Sequence, residues 1–280
     1  MIKRFLKNIL PYGVLQIIQK HRAAIRFSGD YPDWQSAAES ARGYDAVEIA
    51  VNVKENIKKI IAGKEVVCCN YPLLSSLLFA ANKCGGSLHV LDFGGAMGNA
   101  YWSNRKVLKS AVKDLSWSIV EQASFISAAS EVDMNGEIAF FSDIAAARAA
   151  DPDIHVLLCS SVLQYLEQAD DILKQAEAFD YIIIDRAPVF RNKTSCQYAV
   201  QTVKKTISPA SYPLRIAPKG FFESYFNGKF EVAMHWESAL DKSFTVKDKQ
   251  GEIQIVDMLG MLLQKKQRSP VPDTADSTKK

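Results

Sequence analysis

The residues best suited to chemistry stand in a glycine-rich turn that follows an apolar run. In LHVLDFGGAMG, residues 88–98, the run reaches Asp92 and continues into Gly94, Gly95 and Gly98. Glycine lets the chain bend sharply and lets a ligand approach the backbone. Ligands of open α/β sheets bind at the carboxyl ends of the strands, so we expect a nucleotide-like cofactor at this turn. The alternative is a tight turn that binds nothing.

Acidic residues at the ends of the next two apolar runs support a cofactor site. WSIVEQ leads into Glu121, whose carboxylate can accept both ribose hydroxyls of an adenosine group. This arrangement fits NAD or S-adenosylmethionine. We favour S-adenosylmethionine because Asp92 precedes the glycines and because the motif G-x-G-x-x-G, which suits the pyrophosphate of a dinucleotide, is absent. IAFFSD ends in Asp143, a candidate adenine contact whose alternative role is to cap the following helix.

Candidate residues for an acceptor substrate follow the later runs. Asp185 is a candidate base or metal ligand and Arg186 a candidate site for an anionic acceptor, with an internal ion pair as the alternative. Tyr165 can orient a substrate hydroxyl or simply pack against the sheet. His235 is a second candidate base. The spacing of the cysteines predicts no metal site.

Short apolar runs and helical stretches must position these residues. The runs cover residues 88–93, 117–120, 138–141, 154–159 and 181–184. Because they are apolar almost throughout, they predict parallel strands that are covered by helices on both faces. We expect helices over residues 34–64, 72–83 and 220–226, and late strands over 230–236 and 253–263. The stretch 241–251 either continues this pattern or forms a hairpin.

The predicted organisation is a helical N-terminal extension over residues 1–83, a catalytic domain over 84–268 and a disordered tail over 269–280.

The 280 residues carry a net charge of only +3, which argues against a nucleic-acid partner. Five cysteines without a C-x-x-C pair suit a reducing compartment. The apolar residues near the N-terminus are interrupted by Lys7 and Asn8, so we expect no signal peptide and a cytoplasmic protein.

The order of these motifs resembles a known family. LDFGGAMGNAYW, WSIVEQ, LLCSSVLQYLEQ, YIIIDRAPV and SYPLRI together resemble bacterial class I S-adenosylmethionine-dependent methyltransferases, over roughly residues 31–263. The resemblance implies a doubly wound, seven-stranded, Rossmann-like α/β sheet. It also implies that Gly94, Gly95 and Gly98 form the cofactor loop, that Glu121 binds ribose and that Asp143 contacts adenine. Two departures are Ala96, where many relatives have glycine, and Gln164-Tyr165, where many have histidine.

The expected function is therefore methyl transfer from S-adenosylmethionine to a small molecule or a bacterial surface-glycan precursor. The alternatives are a non-catalytic binding protein on the same scaffold and an NAD-dependent oxidoreductase or epimerase. Relatives look like components of surface-polysaccharide pathways. Residues 1–20, with Lys3, Arg4 and Lys7 beside an apolar stripe, either pack on the domain or make weak peripheral contact with the inner membrane. Neither the acceptor nor the oligomeric state follows from the sequence.

Overall fold

A computed structural model describes residues 25–42, 46–65, 69–203, 210–238, 240–247 and 250–267. The amphipathic helix predicted within residues 1–20, Cys68 and the predicted tail 269–280 lie outside the described residues. The four cysteines that the structure describes have free thiols. Within the same ranges, no helix has both the length and the apolar character that crossing a bilayer requires.

Strands and helices alternate through the middle of the chain. The strands are β1 (Ile25–Tyr31), β2 (Ser87–Phe93), β3 (Asp114–Val120), β4 (Ala139–Phe141), β5 (Val156–Ser160), β6 (Tyr181–Phe190), β7 (Gln197–Val203), β8 (Ala210–Ile216), β9 (Phe230–Glu237), β10 (Phe244–Lys247) and β11 (Ile253–Lys265). The helices are α1 (Trp34–Ser40), α2 (Ala46–Ile61), α3 (Tyr71–Lys83), α4 (Asn99–Ala111), α5 (Ala123–Ala129), α6 (Ile144–Ala150), α7 (Ala169–Ala176) and α8 (Phe221–Tyr225), and a 3₁₀ turn covers Leu163–Tyr165.

The central sheet has the order β10-β11-β6-β5-β2-β3-β4, and β9 also pairs with β11. Strands β2 to β6 are mutually parallel, whereas β11 runs antiparallel to β6. The predicted doubly wound, Rossmann-like α/β class is confirmed, and all five early apolar runs are strands. The sheet has eight strands rather than seven because β10 pairs with the first part of β11. The stretch 241–251 thus contributes one strand, β10, which forms an antiparallel pair with β11 outside the stretch.

The central strands are apolar throughout because both faces of the sheet are buried. Val90 and Ile183 face the layer that contains α3 and α4, and their neighbours Leu91 and Ile182 face the layer that contains α6 and α7. These four side chains are at most 1% exposed. Burying each contributes about 1.5–3 kcal/mol. Helix α3 lies in the same core as β2, so the boundary proposed at residues 83 and 84 falls inside one packed unit.

A second, antiparallel sheet of order β1-β7-β8 was not predicted. Strand β1 pairs with β7, far along the chain, so the N-terminal segment is not helical throughout. The predicted helix over residues 34–64 is also divided into α1 and α2. The second sheet packs on the far end of β6 and on β10, where the rings of Phe27 and Phe244 stack with centroids 3.7 Å apart.

Candidate functional site

A cleft of about 280 Å³ opens at the carboxyl ends of β2 and β5, beside Arg186 in the middle of β6. The strand order reverses between β2 and β5, which is where open α/β sheets bind ligands. The cleft is lined by Asn70, Leu73, Asp92, Gly94, Gly95, Ala96, Asn99, Ala100, Ser103, Ser160, Ser161, Arg186 and Leu240.

The glycines of the turn after β2 are required by the packing of the chain itself. Gly94 and Gly98 have φ of +69° and +85°, in the left-handed region that favours glycine. A Cβ atom on Gly94 would lie 2.4 Å from Val162 Cγ2, and one on Gly95 would lie 2.4 Å from the carboxyl carbon of Asp92. Gly94 and Gly95 therefore make room for neighbouring side chains, and both also line the cleft. That Gly94, Gly95 and Gly98 let a cofactor approach the backbone stays a prediction.

Ala96 occupies the centre of this turn in a strained conformation. Its φ is +52°, which costs an alanine about 1–2 kcal/mol relative to the right-handed region. This explains why glycine is expected at the position. Its backbone N–H donates to Glu121 Oε1 at 3.1 Å, so the strained residue joins the turn after β2 to the end of β3.

Glu121 lies against the turn with its carboxylate oriented by backbone donors. In addition to the bond from Ala96, the N–H of Gln122 donates to Oε2 at 2.7 Å. Burial raises the pKa of the Glu121 carboxyl, and these two backbone bonds lower it again in part. Each carboxylate oxygen has a further lone pair. The carboxylate can thus accept two adjacent hydroxyls, which is the chemistry that a ribose requires.

Asp143 caps helix α6. Its Oδ1 accepts the N–H of Ala146 at 2.8 Å, and its Oδ2 accepts the hydroxyl of Ser142 at 3.0 Å. These bonds lower the pKa of the exposed carboxyl. Asp143 therefore has the helix-capping role that the sequence offered as an alternative. Its contact with adenine remains a proposal.

Asp92 forms part of the floor of the cleft as a buried carboxyl group. Its side chain is 1% exposed and accepts the indole N–H of Trp117 at 3.3 Å. Burial raises the pKa of Asp92 to about 7, and the negative charge of Glu121 adds to the shift. Near neutral pH this carboxyl therefore titrates inside the fold.

This titration predicts a pH-dependent stability difference for Asp92→Asn. Between the ordinary pKa of 3.8 and about 7, the folded wild type binds more protons than the unfolded chain, so its stability falls as pH rises. Asparagine keeps an acceptor for Trp117 and does not ionise. We expect similar melting temperatures at pH 5 and a variant that melts several degrees higher at pH 8. A difference that is the same at both pH values would contradict the assignment.

Asp185 is turned inward at a bulge in β6. The register between β6 and β11 shifts between Leu259 and Met261, and Arg186 has a φ of +59°. Asp185 is 1% exposed and accepts three hydrogen bonds of 3.0 Å, from Asn70 Nδ2, Ser160 Oγ and Trp236 Nε1. A carboxylate held in this way is poorly placed to act as the base that the sequence suggested.

Asn70, Ser160 and Trp236 are the site residues that sequence reasoning missed. Asn70 is the N-cap of α3, and its Oδ1 accepts the N–H of Leu73 at 3.4 Å. An asparagine just before Tyr71-Pro72 is a recognisable helix start, so this signal was present in the sequence. No sequence pattern links Trp236 to Asp185.

Arg186 lines the cleft and forms its ion pair with Asp241 rather than with Asp185. Its Nε donates to Asp241 Oδ2 at 2.5 Å, and its carbonyl accepts the amide of Gln164 at 3.3 Å. In the part of the chain that the structure describes, the terminal guanidinium nitrogens have no hydrogen-bond partner. They are therefore available to a ligand in the cleft.

The structure does not bring Tyr165 and His235 into the cleft lining. The Tyr165 hydroxyl donates to Gln201 Oε1 at 3.0 Å, in the second sheet, and burial raises its pKa. His235 precedes Trp236 on β9, and successive side chains of a strand point to opposite faces. Since Trp236 reaches Asp185, the exposed His235 lies on the other face. The second candidate base, His235, therefore lies on the face of β9 opposite to Asp185 and outside the cleft lining.

Backbone strain is concentrated around the cleft. Of the four non-glycine residues with positive φ in the described ranges, Ala96, Ser161 and Arg186 line the cleft. Such strain clusters at ligand-binding and active sites. Across the described residues, no group of three or more His, Cys, Asp or Glu side chains is arranged to hold a metal ion.

No protein-family model and no curated protein matches the chain. Among solved structures, the chain is similar to the N-terminal domain of EvdMO1 with SAH bound, at 14% identity and a TM-score of 0.42 over 69% of this chain and 81% of that chain. It is also similar to the CcbJ methyltransferase from Streptomyces caelestis, at 12% identity and a TM-score of 0.43 over 70% of this chain and 89% of that chain. A third similar structure is the glycopeptide N-methyltransferase MtfA complexed with (S)-adenosyl-L-homocysteine, at 16% identity and a TM-score of 0.42 over 74% of this chain and 95% of that chain. At these values the likeness assigns no activity to this chain.

Proposed function

We propose that the chain is an S-adenosylmethionine-dependent methyltransferase whose cofactor binds in the cleft beside the glycine turn. The observation that carries this proposal is the Glu121 carboxylate, which is held by the N–H of Ala96 against the turn at the switch point of the sheet. The group fits because the carboxylate can accept two ribose hydroxyls and the cleft adjoins it. Glu121 would hold the ribose and Asp143 would lie toward the adenine.

The bound cofactor would supply an activated methyl group, and the protein would align a nucleophile with it and exclude water. Arg186 would orient the acceptor through its free guanidinium nitrogens. The neighbouring hydroxyl of Ser160 lines the same cleft. An acceptor with an anionic group, such as a small acid or a surface-glycan precursor, suits this lining. A glycan precursor linked to lipid would be presented at the cytoplasmic face of the membrane.

Isothermal titration calorimetry with S-adenosylmethionine, S-adenosylhomocysteine and NAD tests the cofactor assignment. The proposal requires that the first two bind and that NAD does not. Binding of NAD alone would favour an oxidoreductase or epimerase instead. Mass spectrometry of metabolites and glycans from cells with and without the gene would then identify the acceptor. Cofactor binding without any methylated product would favour a non-catalytic binding protein.

Replacing Arg186 is expected to lower the rate at which the acceptor is methylated while leaving the affinity for S-adenosylhomocysteine unchanged. Arg186→Gln removes the guanidinium from the cleft, so turnover of the identified acceptor should fall at least tenfold with little change in S-adenosylhomocysteine affinity. The matched control is Arg191→Gln, because Arg191 forms a comparable ion pair with Asp257 beyond the end of β6. A large loss of S-adenosylhomocysteine affinity in Arg186→Gln would place the arginine on the cofactor side.

A further inference from the structure

The Asp185 carboxylate is buried without a cationic hydrogen-bond partner. Its donors are an amide, a hydroxyl and an indole, all of them neutral. In the ranges that the structure describes, no Lys, Arg or His side chain forms an ion pair with it. Buried charges in proteins are normally paired, because removing a lone carboxylate from water is costly. Burial accordingly raises the pKa of Asp185.

The neighbouring cation, Arg186, meets this need only in part. Its positive charge lowers the pKa of Asp185, but burial has the larger effect, and the Arg186 guanidinium forms its ion pair with Asp241. The three residues therefore leave one uncompensated negative charge. That charge belongs to Asp185, which is 1% exposed, whereas the side chains of Arg186 and Asp241 are 31% and 33% exposed and better screened by water.

The uncompensated carboxylate lies directly behind the lining of the cleft. Two of its three donors, Asn70 and Ser160, line the cleft themselves. The third, Trp236, reaches it across Gly260, where a Cβ atom would lie 2.2 Å from the indole nitrogen. Residues from β5, β6, β9, β11 and the start of α3 thus cooperate to hold one negative charge at this wall.

We infer that Asp185 is a countercharge for a cation bound in the cleft, where it adds to the charge of the Asp92 carboxyl in the lining. The inference rests on the proposed function, under which that cation is the sulfonium of S-adenosylmethionine. The sulfonium charge is lost when the methyl group leaves, because the sulfur keeps the electrons of the broken bond. Asp185 therefore favours the charged cofactor over neutral S-adenosylhomocysteine and promotes exchange of product for fresh cofactor. It is a positioning residue that acts electrostatically, rather than a catalytic base.

The test is the ratio of S-adenosylmethionine to S-adenosylhomocysteine affinity, measured by calorimetry at pH 8. Asp185→Asn removes the charge and keeps the shape, so we expect S-adenosylmethionine to bind roughly tenfold more weakly while S-adenosylhomocysteine changes less than about twofold. Sinefungin carries a protonated amine in place of the sulfonium, so its affinity should fall in Asp185→Asn by about as much as that of S-adenosylmethionine. The control Trp236→Phe removes one donor but keeps the carboxylate, so its affinity ratio should equal that of the wild type.

An equal loss for both ligands, or an unchanged ratio, overturns the inference and leaves the proposed function standing. Failure of the wild type to bind either ligand overturns the proposed function, and the inference falls with it. Circular dichroism checks folding. Asp185→Ser, which is neutral, smaller and able to accept from Trp236, provides a second measurement of the ratio if Asp185→Asn does not fold.

Discussion

Replacing Glu121 by alanine is expected to weaken S-adenosylmethionine binding by at least tenfold. The carboxylate is held beside the cleft by the N–H groups of Ala96 and Gln122, in an orientation that leaves a lone pair on each oxygen for a ribose hydroxyl. Hydrogen bonds to a charged acceptor are worth about 1.5–3 kcal/mol each, so the loss of two is a large effect. Calorimetry measures it directly.

The control for this experiment is Glu39→Ala. Glu39 is an exposed glutamate on α1 whose side chain accepts a hydrogen bond from Gln35. Its replacement should leave the affinity unchanged. The fold of Glu121→Ala should also persist, because the site is at the end of β3 and its backbone bonds within the sheet remain. Wild-type affinity in a folded Glu121→Ala protein would rule out the ribose assignment.

Replacing Gly95 by alanine is expected to destabilise the fold itself. The added methyl group would meet the Asp92 carboxyl carbon at 2.4 Å. Asp92 is 1% exposed and bonded to Trp117, so it has little room to move. Overpacking of this kind costs about 1–3 kcal/mol, which chemical denaturation can resolve.

A double-mutant cycle identifies the cause. Asp92→Ala removes the atoms that an alanine at position 95 would contact, so Gly95→Ala should cost much less in the Asp92→Ala background than in the wild type. If the cost is the same in both backgrounds, the clash with Asp92 is not its origin. A Gly95→Ala protein as stable as the wild type would show that the turn adjusts without strain.

Much of the central sheet could be predicted because the relevant signals are local. Runs such as residues 88–93 and 181–184 are apolar throughout, since a parallel strand under two helical layers buries both faces. The second sheet carries no such signal. Strand β1 is largely exposed and polar, and its partner β7 lies far along the chain, so neither composition nor periodicity indicates the pairing.

The sequence by itself determined where the strands of the central sheet other than β10 lie, that a glycine turn follows β2, and that a carboxylate, Glu121, follows β3. These features depend on local hydrophobic pattern and on backbone conformations that glycine favours. Only the tertiary structure decided the role of Asp185. Its donors come from positions 70, 160 and 236, which meet only after β5, β6 and β9 have taken their places. The register of β9 on β11 likewise decided that Trp236 faces the carboxylate and that His235 faces away, because a shift of one residue would exchange the two faces.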